Sequence, residues 1–299
     1  MEIIKITPRG FCKGVVDAWA IAKKARSEYP NHKIFMIGWL VHNKDMIEEV
    51  SKYGIETMDD TNIDRLSIIK QIVKENDKDK IVIIFSAHGT DYKAIDYAIS
   101  KNIIFYDGTC EYVYKTHDLI KKKIKEKKII FYIGVKKHPE AIATKCINED
   151  KIIVIEKIDD VKLLEKDYVN KEIFITNQTT MSLYDFFHLT KYIKNHFKNV
   201  EFKNDTCLAA YERQKAIIDI DDNVDLLIIV GDKKSNNSNK MVEVGLKMNI
   251  ESYLVENEND LNYDWFKNKR KVAISSGAST PTWTTNKIIK LIENISIRD

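Results

Sequence analysis

Cysteine is scarce, with four residues, Cys12, Cys110, Cys146 and Cys207, in a chain of 299. A chain this long with so few is not a disulfide-framed secreted domain. No Cys-x-x-Cys pair occurs, which leaves zinc-finger and thioredoxin readings without support. Charge of one sign is also lacking: 48 Lys and Arg against 45 Asp and Glu leave +3, too balanced to indicate nucleic acid. The Lys-rich stretch Lys121 to Lys128 reads as a solvated helix face. No run of about 18 apolar residues is present, so no segment reads as a membrane span. Neither the P-loop pattern nor Gly-x-Gly-x-x-Gly is found, which argues against a nucleotide triphosphatase or a nicotinamide enzyme. Met1-Glu2-Ile3-Ile4 already reads as a strand, so no signal peptide is visible.

What is present is a core-forming composition, 44% apolar, arranged as a repeat. Cys12 and Cys110 are 98 residues apart, and Cys110 and Cys207 are 97 apart. Each follows a short apolar run and a turn: Ile3 to Ile6 before Pro8-Arg9-Gly10-Phe11-Cys12, Ile103 to Tyr106 before Asp107-Gly108-Thr109-Cys110, and Val200 to Phe202 before Asn204-Asp205-Thr206-Cys207. A helical pattern follows each: Val15 to Ala25, Val113 to Ile124, Tyr211 to Ile220. The next strands, Ile34 to Gly38, Ile129 to Gly134 and Leu226 to Gly231, end in Gly and a polar loop. Fourth strands, Ile81 to Phe85, Glu172 to Thr176 and Lys271 to Ser275, also end in small polar residues. Alternating strands and helices imply parallel sheets with right-handed crossovers. The expectation is an α/β fold of three similar parallel-sheet units around a pseudo-threefold axis, with a metal site at the centre. The units are 1–109 with the N-terminal strand and Cys12, 110–206 with Cys110, and 207–299 with Cys207 and a C-terminal helix.

Three cysteines at one position of three repeats read as a ligand set, whereas Cys146 lies in a different helical segment and reads as packing. Three soft thiolates suit an iron–sulfur cluster or zinc, and leave one position open. His42, His88 and His138 fall in strand-end loops, while His32, His117, His188 and His196 fall on helices or turns. With Thr179, Thr180, Ser235, Asn237 and Ser279 the first three form a neutral-to-cationic donor set suited to phosphate or diphosphate. Glu140, after His138-Pro139, is placed to act as a general acid.

These residues resemble the LytB-type reductases of the non-mevalonate isoprenoid pathway, which act on 4-hydroxy-3-methylbut-2-enyl diphosphate. The resemblance spans nearly the whole chain. It runs through Pro8-Arg9-Gly10-Phe11-Cys12, Val41-His42-Asn43, Phe85-Ser86-Ala87-His88-Gly89, Thr109-Cys110 and His138-Pro139-Glu140. It continues through Gln178-Thr179-Thr180, Cys207 with Arg213-Gln214, Ser235 with Asn237-Ser238-Asn239, and Gly277-Ala278-Ser279. It implies a [4Fe–4S] cluster on Cys12, Cys110 and Cys207 with one open iron, and catalysis by Glu140 with Thr179 and His138. It implies a diphosphate pocket of His42, His88, His138, Thr179, Thr180, Ser235, Asn236, Asn237 and Ser279. Ferredoxin or flavodoxin would supply electrons, with no nucleic-acid or membrane partner. Alternatives are a three-thiolate zinc hydrolase of a phosphorylated substrate and an iron–sulfur electron carrier or sensor. Two positions depart from the family pattern: Ala210 stands where a Thr is usual, and Asn236 replaces the second of two serines. The Lys, Asn and Ile bias and abrupt start suggest a plastid-type (apicoplast-like) organelle with a trimmed transit peptide, the bacterial cytoplasm being the other reading.

Overall fold

The computed structural model describes residues 1–220 and 223–298; Asp221, Asp222 and Asp299, and with them part of the third expected unit, lie outside the described residues. Twelve strands are present among the described residues. They are β1 (Glu2–Lys5), β2 (Lys33–Ile37), β3 (Ile55–Met58), β4 (Ile81–Phe85), β5 (Ile104–Asp107) and β6 (Ile129–Ile133). The rest are β7 (Ile152–Ile155), β8 (Glu172–Asn177), β9 (Asn199–Phe202), β10 (Leu226–Val230), β11 (Glu251–Val255) and β12 (Lys271–Ser276). They form three four-stranded sheets ordered β3-β2-β4-β5, β7-β6-β8-β9 and β11-β10-β12-β1. Every pairing is parallel.

Parallel sheets covered by helices on both faces need strands that are apolar on both faces. The central strands comply: β4, β6 and β10 are buried throughout. In the first sheet, Ile34, Met36, Val82 and Ile84 face one helical layer, and Phe35, Ile37, Ile81, Ile83 and Phe85 face the other. The helix Lys13–Glu28 meets the first of these faces through Val15, Ala18, Ala22 and Ala25, a spacing that lines one helix face.

The topology corrects one expectation. The N-terminal strand does not belong to the first unit: Glu2–Lys5 pairs with Lys271, Val272, Ala273 and Ile274 at the edge of the third sheet. Each sheet therefore ends in the strand that leads to a cysteine, while the helix after that cysteine packs on the next sheet. The chain thus closes a ring, and the three cysteines lie at its three seams. Each seam has the same fastening. Cys12 N–H donates to Ala278 C=O at 3.0 Å, Cys110 N–H to Ala87 C=O at 3.0 Å, and Cys207 N–H to Thr179 C=O at 2.9 Å. The acceptors all lie just beyond the second-to-last strand of a sheet.

In the first two sheets two adjacent strands send their connections in opposite directions, β2 and β4 and β6 and β8; β10 and β12 hold the same places in the third, where β12 leads into the helix Thr282–Arg298. Ligands of open α/β sheets sit at such switch points, beyond the carboxyl ends of the strands. The six loops that leave these strands carry His42, His88, His138, Thr179 with Thr180, Ser235 and Ser279.

Candidate active site

One cavity collects Cys12, Cys110, Cys207, His42, His88, His138, Glu140, Thr179, Thr180, Ser235, Asn236, Asn237 and Ser279 in its wall, together with Ala210. Cys146 stands apart, at the end of the helix Pro139–Lys145.

The floor is the cysteine set. Each cysteine is the N-cap of a helix, Lys13–Glu28, Glu111–Lys125 and Leu208–Ile218, and none of the three side chains makes a capping bond. The three sulfurs sit at positive helix ends, where backbone N–H groups, those of Tyr112 and Val113 at Cys110 and that of Ala210 at Cys207, favour a thiolate. Without a cation burial wins: it pushes the Cys207 thiol up to about 12 and raises that of Cys110. Such thiols are poor nucleophiles, but a bound soft metal deprotonates them outright. Gly14 keeps the space between them open, since a Cβ there would lie 2.8 Å from Cys110 Sγ and 3.9 Å from Cys12 Sγ. The donor set and the space both fit a thiolate-held metal centre.

Three imidazoles form one wall. The ring centroids of His42 and His88 lie 4.7 Å apart, those of His88 and His138 5.3 Å, and those of His42 and His138 6.0 Å. One nitrogen from each falls within 4.8 Å of the others, close enough to share a single small ligand, a phosphate oxygen or a metal ion. Burial drives all three toward the neutral form: His138 is pushed down to about 3, and His42 and His88 also fall. A ready-made cationic pocket is therefore not what these histidines supply; an anion placed among them would have to bring its protons along. His138 Nδ1 accepts Glu140 N–H at 3.1 Å, which leaves the ring proton on Nε2.

Two polar atoms of this wall are buried without a partner, His42 Nδ1 and Asn237 Oδ1. Asn237 Nδ2 reaches only the weak acceptor Met241 Sδ, at 3.6 Å. Exchanging the two amide ends would aim the NH₂ group at the unpartnered position. Buried polar groups are nearly always paired, so both atoms point to a ligand. On the third unit's side, Ser279 Oγ donates to His42 C=O at 3.3 Å and lies 3.4 Å from Ser235 Oγ. Asn236 is different. Its Nδ2 donates to Thr180 C=O at 3.1 Å and Thr180 Oγ1 at 2.9 Å, so the amide, which also lines the cavity, straps the third unit to the second. Ala210 is buried in the wall, and its side chain contributes no polar atom.

Glu140 is 2% exposed. Its Oε1 accepts Thr179 N–H at 2.7 Å and the Tyr132 hydroxyl at 3.0 Å; its Oε2 meets Thr179 Oγ1 at 2.9 Å. Burial raises its pKa to about 7 against the pull of these donors. A carboxyl held there is partly protonated at neutral pH, the condition for a general acid. Tyr132 did not figure among the sequence candidates. Its signal was faint, one hydroxyl in the apolar strand Ile129-Ile130-Phe131-Tyr132-Ile133.

Three parallel sheets in a closed ring, with metal-ready thiols and a proton donor sharing a cavity at their switch points, define a three-unit α/β enzyme. The chain belongs to the LytB family: the family model described as LytB protein matches residues 3–293. A 4-hydroxy-3-methylbut-2-enyl diphosphate reductase from Malacoplasma penetrans is 52% identical, covering 98% of this chain and 97% of the relative. The enzyme of the same name from Geobacillus kaustophilus is 38% identical over 100% of this chain and 92% of its own. Among solved structures, the E-1-hydroxy-2-methyl-but-2-enyl-4-diphosphate reductase from Plasmodium falciparum superposes with a TM-score of 0.88 at 31% identity, covering 98% of this chain and 88% of that one. An (E)-4-hydroxy-3-methyl-but-2-enyl diphosphate reductase described as the terminal enzyme of the non-mevalonate pathway gives 0.64 at 26% identity, covering 98% of this chain and all of the other.

Proposed function

We propose that the chain reductively dehydroxylates 4-hydroxy-3-methylbut-2-enyl diphosphate to isopentenyl and dimethylallyl diphosphate. Two electrons and two protons are consumed and water is released. The observation that carries the reading is the meeting of three uncapped cysteines, a buried acid and a polar wall in one cavity. Cys12, Cys110 and Cys207 would hold a [4Fe–4S] cluster, which when bound supplies electrons and an open coordination position. His42, His88, His138, Ser235, Asn237 and Ser279 bind the diphosphate, with Thr180 and Asn236 joining the second and third units at its edge. Glu140 delivers a proton to the leaving hydroxyl at the Thr179 side, and His138 orients the turn that carries it. Ferredoxin or flavodoxin is the electron donor. The bacterial source of the 52% and 38% identical relatives favours bacterial cytoplasm over the plastid-type organelle inferred from composition. The three units are divided near residues 109 and 206, with β1 assigned to the third.

The test is metal analysis of protein purified without oxygen, followed by turnover with the diphosphate and a chemical reductant. Iron and sulfide, roughly three to four each per chain, with reduction of the diphosphate, is the expected result. Zinc without sulfide would replace the reading by a zinc hydrolase. A cluster that binds no allylic diphosphate would leave an electron carrier.

A further inference from the structure

Tyr132 is a buried titratable group that takes no part in the chemistry above. Its ring packs among Ile120, Ile130, Ala141, Ile152 and Phe174, inside the second unit and behind the cavity wall. The strand-end glycine makes room for it: a Cβ at Gly134 would lie 3.0 Å from Tyr132 Cε1. So placed, the hydroxyl donates to Glu140 Oε1 at 3.0 Å from the core side, while Thr179 N–H donates to the same oxygen at 2.7 Å. Two donors fill the acceptor positions of Oε1. Oε2 meets Thr179 Oγ1 alone. A proton on Oε1 would face two donors; on Oε2 it faces a hydroxyl oxygen able to accept it.

We propose that Tyr132 is a positioning residue for Glu140: its hydroxyl keeps Oε1 an acceptor and confines the transferable proton to Oε2, beside Thr179. The inference rests on the reductase reading for its catalytic consequence. When Glu140 gives that proton to the leaving hydroxyl, the C–O bond breaks and water leaves, the allylic fragment takes up the two electrons that ferredoxin or flavodoxin supplies and a second proton, and Oε2 becomes an acceptor for Thr179 Oγ–H. The bonds to Oε1 do not change, so the buried end of the acid needs no reorganisation during the transfer. The backbone is pinned as well. Thr144 Oγ1 donates to Glu140 C=O at 2.7 Å and lies 3.1 Å from His117 Nε2. Burial pushes the ionisation of Tyr132 far above its ordinary range, so it remains a donor wherever the enzyme works.

The experiment is Tyr132→Phe, which removes one oxygen and keeps the ring. Turnover should show kcat lowered about tenfold with KM unchanged, and the basic limb of the kcat profile moved to higher pH, because a donor to the carboxylate is gone. Independently, infrared difference spectra between acid and alkaline pH, with Glu140→Gln identifying the carboxyl band, should show its C=O stretch raised in Tyr132→Phe. An unmoved band, or a moved band with unchanged kcat, overturns the proposal. A parent chain that does not reduce the diphosphate, with the band still raised in Tyr132→Phe, sinks the functional reading and leaves the carboxyl assignment standing. Should Tyr132→Phe not fold, Gly134→Ala must move the same band by pressing on the ring, and an unmoved band there also overturns the proposal.

Discussion

At each of the three seams the same parts recur: a strand from one sheet, an N-cap cysteine, a helix on the next sheet, and an N–H bond of 2.9–3.0 Å to a neighbouring loop. In the loops above them no two units agree. The first gives His42 and His88, the second His138, Glu140 and Thr179, the third Ser235, Asn237 and Ser279. A compact centre held from three equivalent directions is served by repetition. A substrate with a diphosphate at one end and a hydroxyl at the other is served by difference, because only a lopsided wall can tell its ends apart. The repeat built the floor and its divergence built the wall.

The largest effects should come from breaking the repeated part. Cys12→Ser, Cys110→Ser or Cys207→Ser should each abolish the iron and sulfide content of anaerobically purified protein and all turnover. Cys146→Ser, outside the cavity, should retain both. Loss of iron in Cys146→Ser as complete as in the other three would end the distinction between seam and non-seam cysteines.

Next in size are changes to the acid, which belongs to one unit alone. Glu140→Gln should lower kcat by about 10²–10⁴ with metal content and substrate affinity kept; near-parent turnover would remove Glu140 from its role. In the parent, Glu140 is held at about 7, above the ordinary carboxyl value. It must be protonated to act, so kcat should be high below that pH and fall as pH rises through it. Its contribution to folding stability has the same sign: full below the ordinary carboxyl value of 4.5, and lost progressively as pH rises from there to about 7. A kcat flat from pH 6 to 8.5 would contradict the first statement, and an equal unfolding pH dependence in parent and Glu140→Gln the second.

A smaller effect is expected at the histidine wall. Burial holds these imidazoles below their ordinary range. A bound diphosphate should raise them, so binding should take up protons and tighten as pH falls from 8 to 6. Calorimetry in buffers of different ionisation enthalpy counts the protons, and His42→Asn should reduce the uptake. Uptake equal in parent and variant would assign the protons elsewhere. The smallest effect is Asn236→Ala, which cuts the strap to Thr180. It should cost about 0.5–1.5 kcal/mol, seen as a lower unfolding midpoint, and raise KM only slightly.

Much of this was legible in the sequence because repetition is visible in one dimension. The matching intervals around Cys12, Cys110 and Cys207 marked the units, and the glycine-ended strands marked the polar loops. What escaped depends on partners distant along the chain. Ile3 and Ile4 look like the first strand of the first unit, and only ring closure assigns them to the third sheet. Asn236 reads as a ligand donor in the sequence, and its bond to Thr180 across two units is visible only in the fold. The histidines suggest positive charge by type, and their burial removes it. Tyr132 is one aromatic in a buried strand, a position where packing alone is a sufficient reason for its presence.

The pairing of β1 with β12 also has a consequence in time. Glu2 meets Lys271, and Cys12 N–H meets Ala278 C=O. At roughly 5–20 residues per second, ribosomal synthesis separates these partners by on the order of 15–50 s. Of the described strands, β1 is thus made before the others and finds its partner last. Cys12 waits with it, so the set of three cysteines is complete only once β12 and the loop carrying Ala278 have been made.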